Sequence, residues 1–472
     1  SSGLVEESGD FQTKDSDRTY PNDWTHRPFV ELFSSLSCVY CMSYADPAMD
    51  EVIHDVEGDE SNPYNVIVFH QTNGGAGDDP FHTDQSKSRM RDHYGQTGTP
   101  NAQFDGNYRY VGGGGEENYQ DYVQAIQDSG PREGEGNDEP FKYVDLDIYS
   151  EFIGSESEGE AGQFKITVNV EYHGSSGDGG GIPTNPNDLS GEDPDLNGEL
   201  FVFMVEDGVP AYSSYLDEIW NNRMVFREYA IDDEEFTLEE GESAEFSAVW
   251  KVPTTQTDGD GITGDIKIPI NPGRMIPIAV VFDRDDTDSG NDDDASDDTY
   301  PTPRSIQSAT PQSTKYDNPE RDIPEIKTKT ERYLDEGAEI QATFDADEGI
   351  GTSYVVYNYE SSNFTGEWIT DEMKIEGEEV CDEETGICYA YSGAIGTSLL
   401  PYSGDNEIYY QVLFVDGNKT SSKTEVIQFV GADGGTPPSE QKEFSSMLIG
   451  VGTIVIALVA GFVIWARRPA SS

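Results

Sequence analysis

Positive charge is what this chain lacks most: 28 Lys and Arg stand against 93 Asp and Glu, a formal net charge of −65 at pH 7. A surface so negative repels phosphates, which excludes nucleic acid as a partner. It suits a protein kept soluble in concentrated salt, where self-repulsion is screened within a few ångströms. Cysteine is scarce too. The four present form two local pairs, Cys38/Cys41 and Cys381/Cys388, an even count consistent with disulfides in an exported chain. Long apolar runs are missing but for one. Met447 to Ala466 carries no charge and has about the length needed to cross roughly 30 Å of hydrocarbon. Trp465 suits the interface, and Arg467-Arg468 place the C-terminus in the cytoplasm by the positive-inside rule. The first residue is Ser1 and no apolar signal stands near it, so we expect a signal peptide already removed. No cysteine at the mature N-terminus offers a lipid anchor, and no sorting motif precedes Met447, so a retained helix is expected over a lipid replacement. The expected location is the cell membrane, spanned once, with the N-terminal ectodomain outside.

What is present falls into segments. A length of 472 residues implies more than one domain. Residues 1–24 read as a flexible acidic lead. In 25–130, Pro28 to Phe33 reads as a strand ending at Cys38-Val39-Tyr40-Cys41, and a helix with a kink at Pro47 follows. Tyr64 to His70 is a buried-type strand, and a polar helix spans about Thr83 to Tyr94. Pro100 to Phe104 and Tyr108 to Val111 form a strand pair turning at Asp105-Gly106-Asn107, and a helix runs from Glu116 to about Asp128. That order, with the dithiol opening a helix and Gly98-Thr99-Pro100 able to face it, is that of a thioredoxin-like α/β domain. Alternating strands in 141–315 predict a β-sandwich with an acidic loop at 283–299. Those in 317–432 predict a second sandwich of immunoglobulin or fibronectin type, with Cys381/Cys388 bridging a hairpin as a structural disulfide. A stalk (433–446), the transmembrane helix (447–466) and a cytoplasmic tail (467–472) complete the expected fold: an α/β thioredoxin-like domain, two β-sandwiches and one membrane helix.

The chemistry centres on the first pair. A thiol attacks a disulfide only as thiolate, and the amides and dipole of a helix N-terminus lower a cysteine's pKa. Cys38 holds that place and is the expected nucleophile; Cys41, one turn inside, is the resolving thiol. Pro100, held cis after Thr99, would leave backbone free to pair with an extended substrate. Glu31, near the strand's end, is a candidate proton relay to the resolving thiol. An inert disulfide or half of a metal site with His70 and His82 remain open alternatives, although the spacing is no zinc signature. Asp193, Asp195 and Asn197, followed by Gly198, match the first half of a calcium loop, but Met204 stands where its bidentate Glu would be. Asp258 to Gly261 is a weaker match. Asn363 and Asn418 open glycan acceptor triplets. No cofactor is needed beyond the dithiol.

Phe29 to Cys41, Asp79-Pro80, Arg91 to Tyr94 and Gly98 to Gly106 together resemble the 28-kDa outer-membrane-protein-related family. The likeness extends through Gly198 to Gly208 and Met275 to Asp283, covering roughly residues 27–315. The chain departs at Met42, where the family commonly has proline, and in its one-span anchor. The resemblance implies a redox-type domain followed by a β-sandwich, and the layout is that of an archaeal surface protein. Two functions are expected to compete. One is a membrane-anchored extracytoplasmic thiol–disulfide oxidoreductase, with exported cysteine-containing proteins or a membrane redox component as partners. The other is a surface adhesion or binding protein whose dithiol domain is only a scaffold.

Overall fold

The computed structural model describes residues 24, 26–56, 63–72, 79–106, 109–112, 115, 117–130, 143–155, 161–174, 195–285, 303–312, 314, 324–334, 337–346, 349–359, 368–381, 388–401, 407–417, 421–424 and 426–429. Strands β1 (Phe29–Ser34) and β2 (Asn65–His70) are buried at every position and pair in parallel, Phe29 against Asn65 through Ser34 against His70. A parallel pair needs a crossover. Here it is a helix that enters behind the Ser35–Cys38 turn, winds as a π-helical turn over Cys41–Ala45 and continues as α1 (Asp46–Val56). The kink expected at Pro47 takes this form. Proline has no N–H for the carbonyl four residues back, and the wider turn before it, closed by the Asp46 N–H on the Cys41 carbonyl, absorbs the mismatch.

Helix α2 (Asp84–Ser88) is capped by the Thr83 hydroxyl, which accepts the Ser86 N–H at 3.0 Å, and a second π-helical turn follows at Arg89–His93. Strands β3 (Asn101–Phe104) and β4 (Arg109–Gly112) pair antiparallel, and α3 (Asn118–Ser129) closes the segment. The turn begins at Asp105 and Gly106, both with positive φ (49° and 71°). Asp105 does more than turn: its carboxylate accepts the Phe29 N–H at 2.7 Å and pairs with His26 at 2.6 Å, tying the hairpin to the start of β1.

The next strands are β5 (Val144–Phe152), β6 (Gln163–Tyr172), β7 (Leu196–Glu206), β8 (Val209–Ser213), β9 (Glu218–Asn222), β10 (Val225–Leu238), β11 (Ser243–Lys251), β12 (Thr255–Thr257), β13 (Thr263–Asp265), β14 (Met275–Asp283) and β15 (Arg304–Ala309). They do not form a sandwich apart from the first segment. One eight-stranded sheet runs β15-β14-β7-β10-β2-β1-β3-β4. The two halves meet where β10 lies parallel to β2, Val225 against Val68, with the Val68 N–H donating to the Met224 carbonyl at 2.8 Å. A three-stranded sheet, β11-β6-β5, covers one face of the β7–β15 half through Ile166, Val168, Leu200, Val202, Met204 and Val281.

The C-terminal strands are β16 (Glu325–Leu334), β17 (Gly337–Asp345), β18 (Ile350–Asn358), β19 (Ile369–Glu372), β20 (Lys374–Cys381), β21 (Cys388–Leu400), β22 (Tyr409–Asp416), β23 (Ser421–Lys423) and β24 (Ile427–Gln428). Their sheet folds over itself: β17 and β21 on one side meet β18 and β22 on the other, around Ile340, Phe344, Val355, Tyr410 and Phe414. It docks on the rest through Phe152 against Tyr354 (ring centroids 5.1 Å apart) and the Asn271 amide donating to Gln411 Oε1 at 2.8 Å.

The expected fold is therefore corrected. The described chain is predominantly β, with three α-helices among its described residues, and the thioredoxin-like α/β domain expected at 25–130 is not a separate unit. Its strands are half of a sheet shared with the segment expected as an independent sandwich. The physical reason is a common aromatic face. Phe29 and Phe33 of β1, Phe69 of β2, Phe226 of β10, Phe201 and Phe203 of β7 and Phe282 of β14 form one buried cluster with Met90 and Tyr94. No helix among the described residues is long and apolar enough to cross a membrane. The run 447–466 expected to do so lies outside the described residues, as do 1–23, 286–302 and the stalk.

At the centre of the aromatic face Arg89 donates to both carboxylate oxygens of Glu31, at 2.7 and 3.1 Å, and both side chains are almost fully buried. Its guanidinium lies 4.9–5.6 Å from the ring centroids of Tyr94, Phe201, Phe203 and Phe282. Truncating one partner of such a pair strands a buried charge. Arg89→Ala is expected to lower unfolding stability by about 3–5 kcal/mol, and the joint change Glu31→Leu with Arg89→Met to restore most of it. Guanidinium denaturation of the three proteins decides: a single-variant loss below about 1 kcal/mol would show that water reaches Glu31.

Candidate functional site

The dithiol sits where β1 gives way to the crossover helix. The Cys38 carbonyl accepts the Met42 N–H at 3.1 Å, so Cys38 is the residue that caps the helix. Its sulfur lies 3.2 Å from the Cys41 amide nitrogen, which donates to it, and 3.8 Å from the Thr99 carbonyl oxygen. The Thr99–Pro100 bond is cis. The structure thus brings together Cys38, Cys41, Thr99 and Pro100, with the two sulfurs bonded. Cys41 is completely buried and Cys38 is 7% exposed, while Val39 and Tyr40 between them stand out at 48% and 57%. Of the two sulfur-bearing residues, Cys38 is the one nearer the surface.

Glu31 is not part of this group. Alternation along β1 puts Val30 and Leu32 on the face packed against α1, with Ala45, Met49 and Val52, and leaves Glu31 on the face of Phe29 and Phe33. There it is bound by Arg89 and by the Tyr94 hydroxyl. Burial alone would lower the Arg89 pKa, but Glu31 raises it well above its ordinary value.

A different set of buried acids lies beside the dithiol. Asp46, whose N–H bonds the Cys41 carbonyl, accepts the Ser34 hydroxyl at 2.5 Å. Across the parallel pair from Ser34 is His70, whose Nδ1 is 3.0 Å from Asp79. Asp79 also accepts the Leu36 N–H at 2.9 Å and so fixes the turn that carries Cys38. Nε2 of His70 is buried without a hydrogen-bond partner among the described residues. Burial raises the Asp46 pKa against the opposing effects of Ser34 and His70, and the Asp79 charge adds to the rise. His70 is raised as well: burial lowers it, but Asp79 outweighs that. No residue spacing announces this group, because parallel pairing and the 79–83 turn assemble it.

The other candidate residues lie elsewhere. Cys381 and Cys388 are bonded across β20 and β21, with Glu379 beside them. His82 Nδ1 is 3.3 Å from the His70 carbonyl, and no three metal-ligand atoms gather at Cys38 and Cys41 among the described residues. Asn363, Asn418 and Asp193 lie outside the described residues. Asn197 is in β7, where its side chain donates to Asp285 at 2.6 Å and accepts from Thr237 at 3.0 Å. Gly198, expected at a calcium-loop turn, is in the same strand: a Cβ there would lie 2.2 Å from the Phe236 ring. Asp195 stands just before that strand.

No family model and no curated protein matches the chain. The solved structures to which it is similar include the following three, with TM-scores of 0.16–0.18. A purple acid phosphatase from yellow lupin seeds is 10% identical over 60% of this chain and 40% of its own, so the chain spans two fifths of that protein. The sporulation control protein Spo0M of Bacillus subtilis is 9% identical over 67% of this chain and 99% of its own. Red sea bream transglutaminase is 10% identical over 77% of this chain and 41% of its own.

Asp50, on the same helix as Asp46, has its pKa pushed up from 3.8 to about 7 by burial first and the Asp46 charge second, against Arg223. The fold therefore favours its protonated form. That contribution to stability is complete below the ordinary carboxylate range and is lost as pH rises through about 7. Asp50→Asn is expected to flatten the fall in stability between about pH 4 and pH 7, measured as guanidinium midpoints. Parallel pH profiles for the two proteins would show that Asp50 remains hydrated.

Proposed function

We propose that this chain is an extracytoplasmic thiol–disulfide oxidoreductase acting on cysteine-containing proteins. One observation carries the reading. Cys38 caps a helix with its sulfur accepting the Cys41 N–H, next to the exposed Val39 and Tyr40 that open that helix, and its partner sulfur is buried behind it. In the reducing direction, the Cys38 thiolate attacks a client disulfide and forms a Cys38–client mixed disulfide while one client thiolate leaves. The Cys41 thiolate then attacks Cys38 Sγ, closes Cys38–Cys41 and releases the second client thiolate. Two electrons pass from the dithiol to the client; the reverse sequence oxidises it. The Thr99 carbonyl next to Cys38 lies where a client backbone would run.

Cys41 must lose its proton in a dry site. Glu31 is held by Arg89 on the far face of the sheet, so the role expected of it passes to Asp46, the buried acid bonded through its N–H to the Cys41 carbonyl. Its pKa, raised by burial, and its position next to the Cys41 carbonyl suit a group that takes up the resolving thiol's proton. Placement as a single-pass protein of the cell membrane rests on the charge-free run 447–466.

Cys41→Ser is expected to accumulate a mixed disulfide with a client protein, and Cys38→Ser to form none, read on non-reducing gels after alkylation. The wild-type pair is expected to equilibrate with thiol buffers at roughly −270 to −120 mV. A potential below about −300 mV would mark an inert disulfide and favour the scaffold reading. Asp46→Asn should slow release from the mixed disulfide and remove a titration from its pH profile, without slowing its formation.

A further inference from the structure

Five exposed apolar side chains occur in two stretches that the fold brings together. Val39 and Tyr40 open the dithiol helix, and Tyr212, Tyr215 and Ile219 (53%, 42% and 56% exposed) belong to the β8–β9 hairpin. The hairpin is fastened to the dithiol turn. Ser213 donates its hydroxyl to the Leu36 carbonyl at 2.8 Å, Ser43 donates to the Tyr215 hydroxyl at 3.0 Å, and Val209 and Ala211 pack with Leu36 and Met42. Its inner face, Val209, Ala211 and Ser213, thus accounts for its place in the fold. Its outer face is not used. Tyr212 and Ile219 stand directly opposite each other across the two strands and point to water. The hairpin pairs with no other strand among the described residues.

We propose that this hairpin is the docking arm for the dithiol's client, an unfolded polypeptide segment with apolar or aromatic residues beside its cysteine and a neutral or basic charge. The proposal rests on the dithiol reading above. Charge selects the occupant. At contact range, where salt screens least, a second copy of so acidic a chain or an acidic segment would set its carboxylates against Asp217 and Glu218 at the hairpin's rim. An uncharged cross-strand Tyr–Ile pair on a hairpin fastened to the dithiol turn suits apolar residues flanking a client cysteine, and the acidic rim favours lysine or arginine further out.

The test compares two disulfides reacting with the reduced full-length chain at high salt. One is 2-hydroxyethyl disulfide, too small to reach the hairpin. The other is a disulfide-linked peptide with Phe and Leu beside its cysteine and flanking lysines. In Tyr212→Ser/Ile219→Ser the exchange rate with the peptide is expected to fall about tenfold, the equivalent of about 1.4 kcal/mol, with the small disulfide reacting as in the wild type. Exchanging the peptide's lysines for glutamates should slow the wild type. An unchanged peptide rate in the variant overturns the docking arm while leaving the dithiol reading intact. An equal loss with both disulfides also overturns it, because the hairpin would then only support the turn. A variant that turns a dimer into a monomer with unaltered peptide exchange assigns the patch to self-association and overturns it as well. A wild type that exchanges with neither disulfide overturns the dithiol reading, and the docking arm falls with it.

Discussion

The Glu31–Arg89 pair is the constraint on which the rest depends. Two charges with almost no exposure cost several kcal/mol each to desolvate, and only close, two-point hydrogen bonding offsets that. The geometry that satisfies it is demanding. Glu31 must point from β1 into the aromatic face, Arg89 must reach down from the turn after α2, and rings from β7 and β14 must close over the guanidinium. Those rings come from strands more than a hundred residues away in sequence. A register slip of one residue in β1 would turn Glu31 to the α1 face, where nothing pairs with it. The pair therefore specifies which strands share the sheet more than it adds net stability.

With the sheet fixed, the dithiol is fixed. β1 and β2 end together at Ser34 and His70, and the turn bonded by Asp79 leads straight to Cys38. The same edge receives the β8–β9 hairpin because β10, which follows that hairpin, is laid against β2 at Val225 and Val68. The junction that makes one sheet of two expected domains is thus also what brings a second segment up to the turn that carries Cys38. A freestanding α/β unit would lack that neighbour.

The local features of this arrangement were legible in the sequence. The β1 and β2 strands, the helix opening at the dithiol, the proline facing Cys38 and the turn at Asp105-Gly106 all have short-range signatures in alternation and turn residues. What was not legible is non-local. The β10–β2 junction is a single residue pair, and no pattern encodes it. One signal was available and underweighted: Leu200 to Val205 is an unbroken apolar run, which implies burial on both faces, whereas a strand of a two-layer sandwich with one wet face alternates. Glu31 was misplaced because its proximity to Cys38 in sequence was weighed above the two-residue alternation that turns it away. The hairpin carrying Tyr212 and Ile219 was missed since its short strands carry exposed apolar residues on the outer face. The Asp46–His70–Asp79 group spans a helix, a strand and a turn, and only the fold assembles it.

The acidity of the chain poses the last question, since on the proposed reading a thiolate forms amid so many carboxylates. Count alone misleads here. At an effective dielectric of about 20, a unit charge 4 Å away is worth about 4 kcal/mol, or about 3 units in a thiol's pKa. The ionisation state of the nearest acids therefore outweighs the sum of distant, salt-screened ones. On the crossover helix those acids are Asp46 and Asp50, and burial raises the pKa of both, in Asp50 to about 7. Each therefore spends more of the neutral range uncharged than an exposed aspartate would, when it does not oppose a thiolate. Meanwhile the Cys41 N–H points at Cys38 Sγ and stabilises its negative form. The burial that makes Asp46 fit to carry a proton is thus also what keeps the local field compatible with a reactive sulfur.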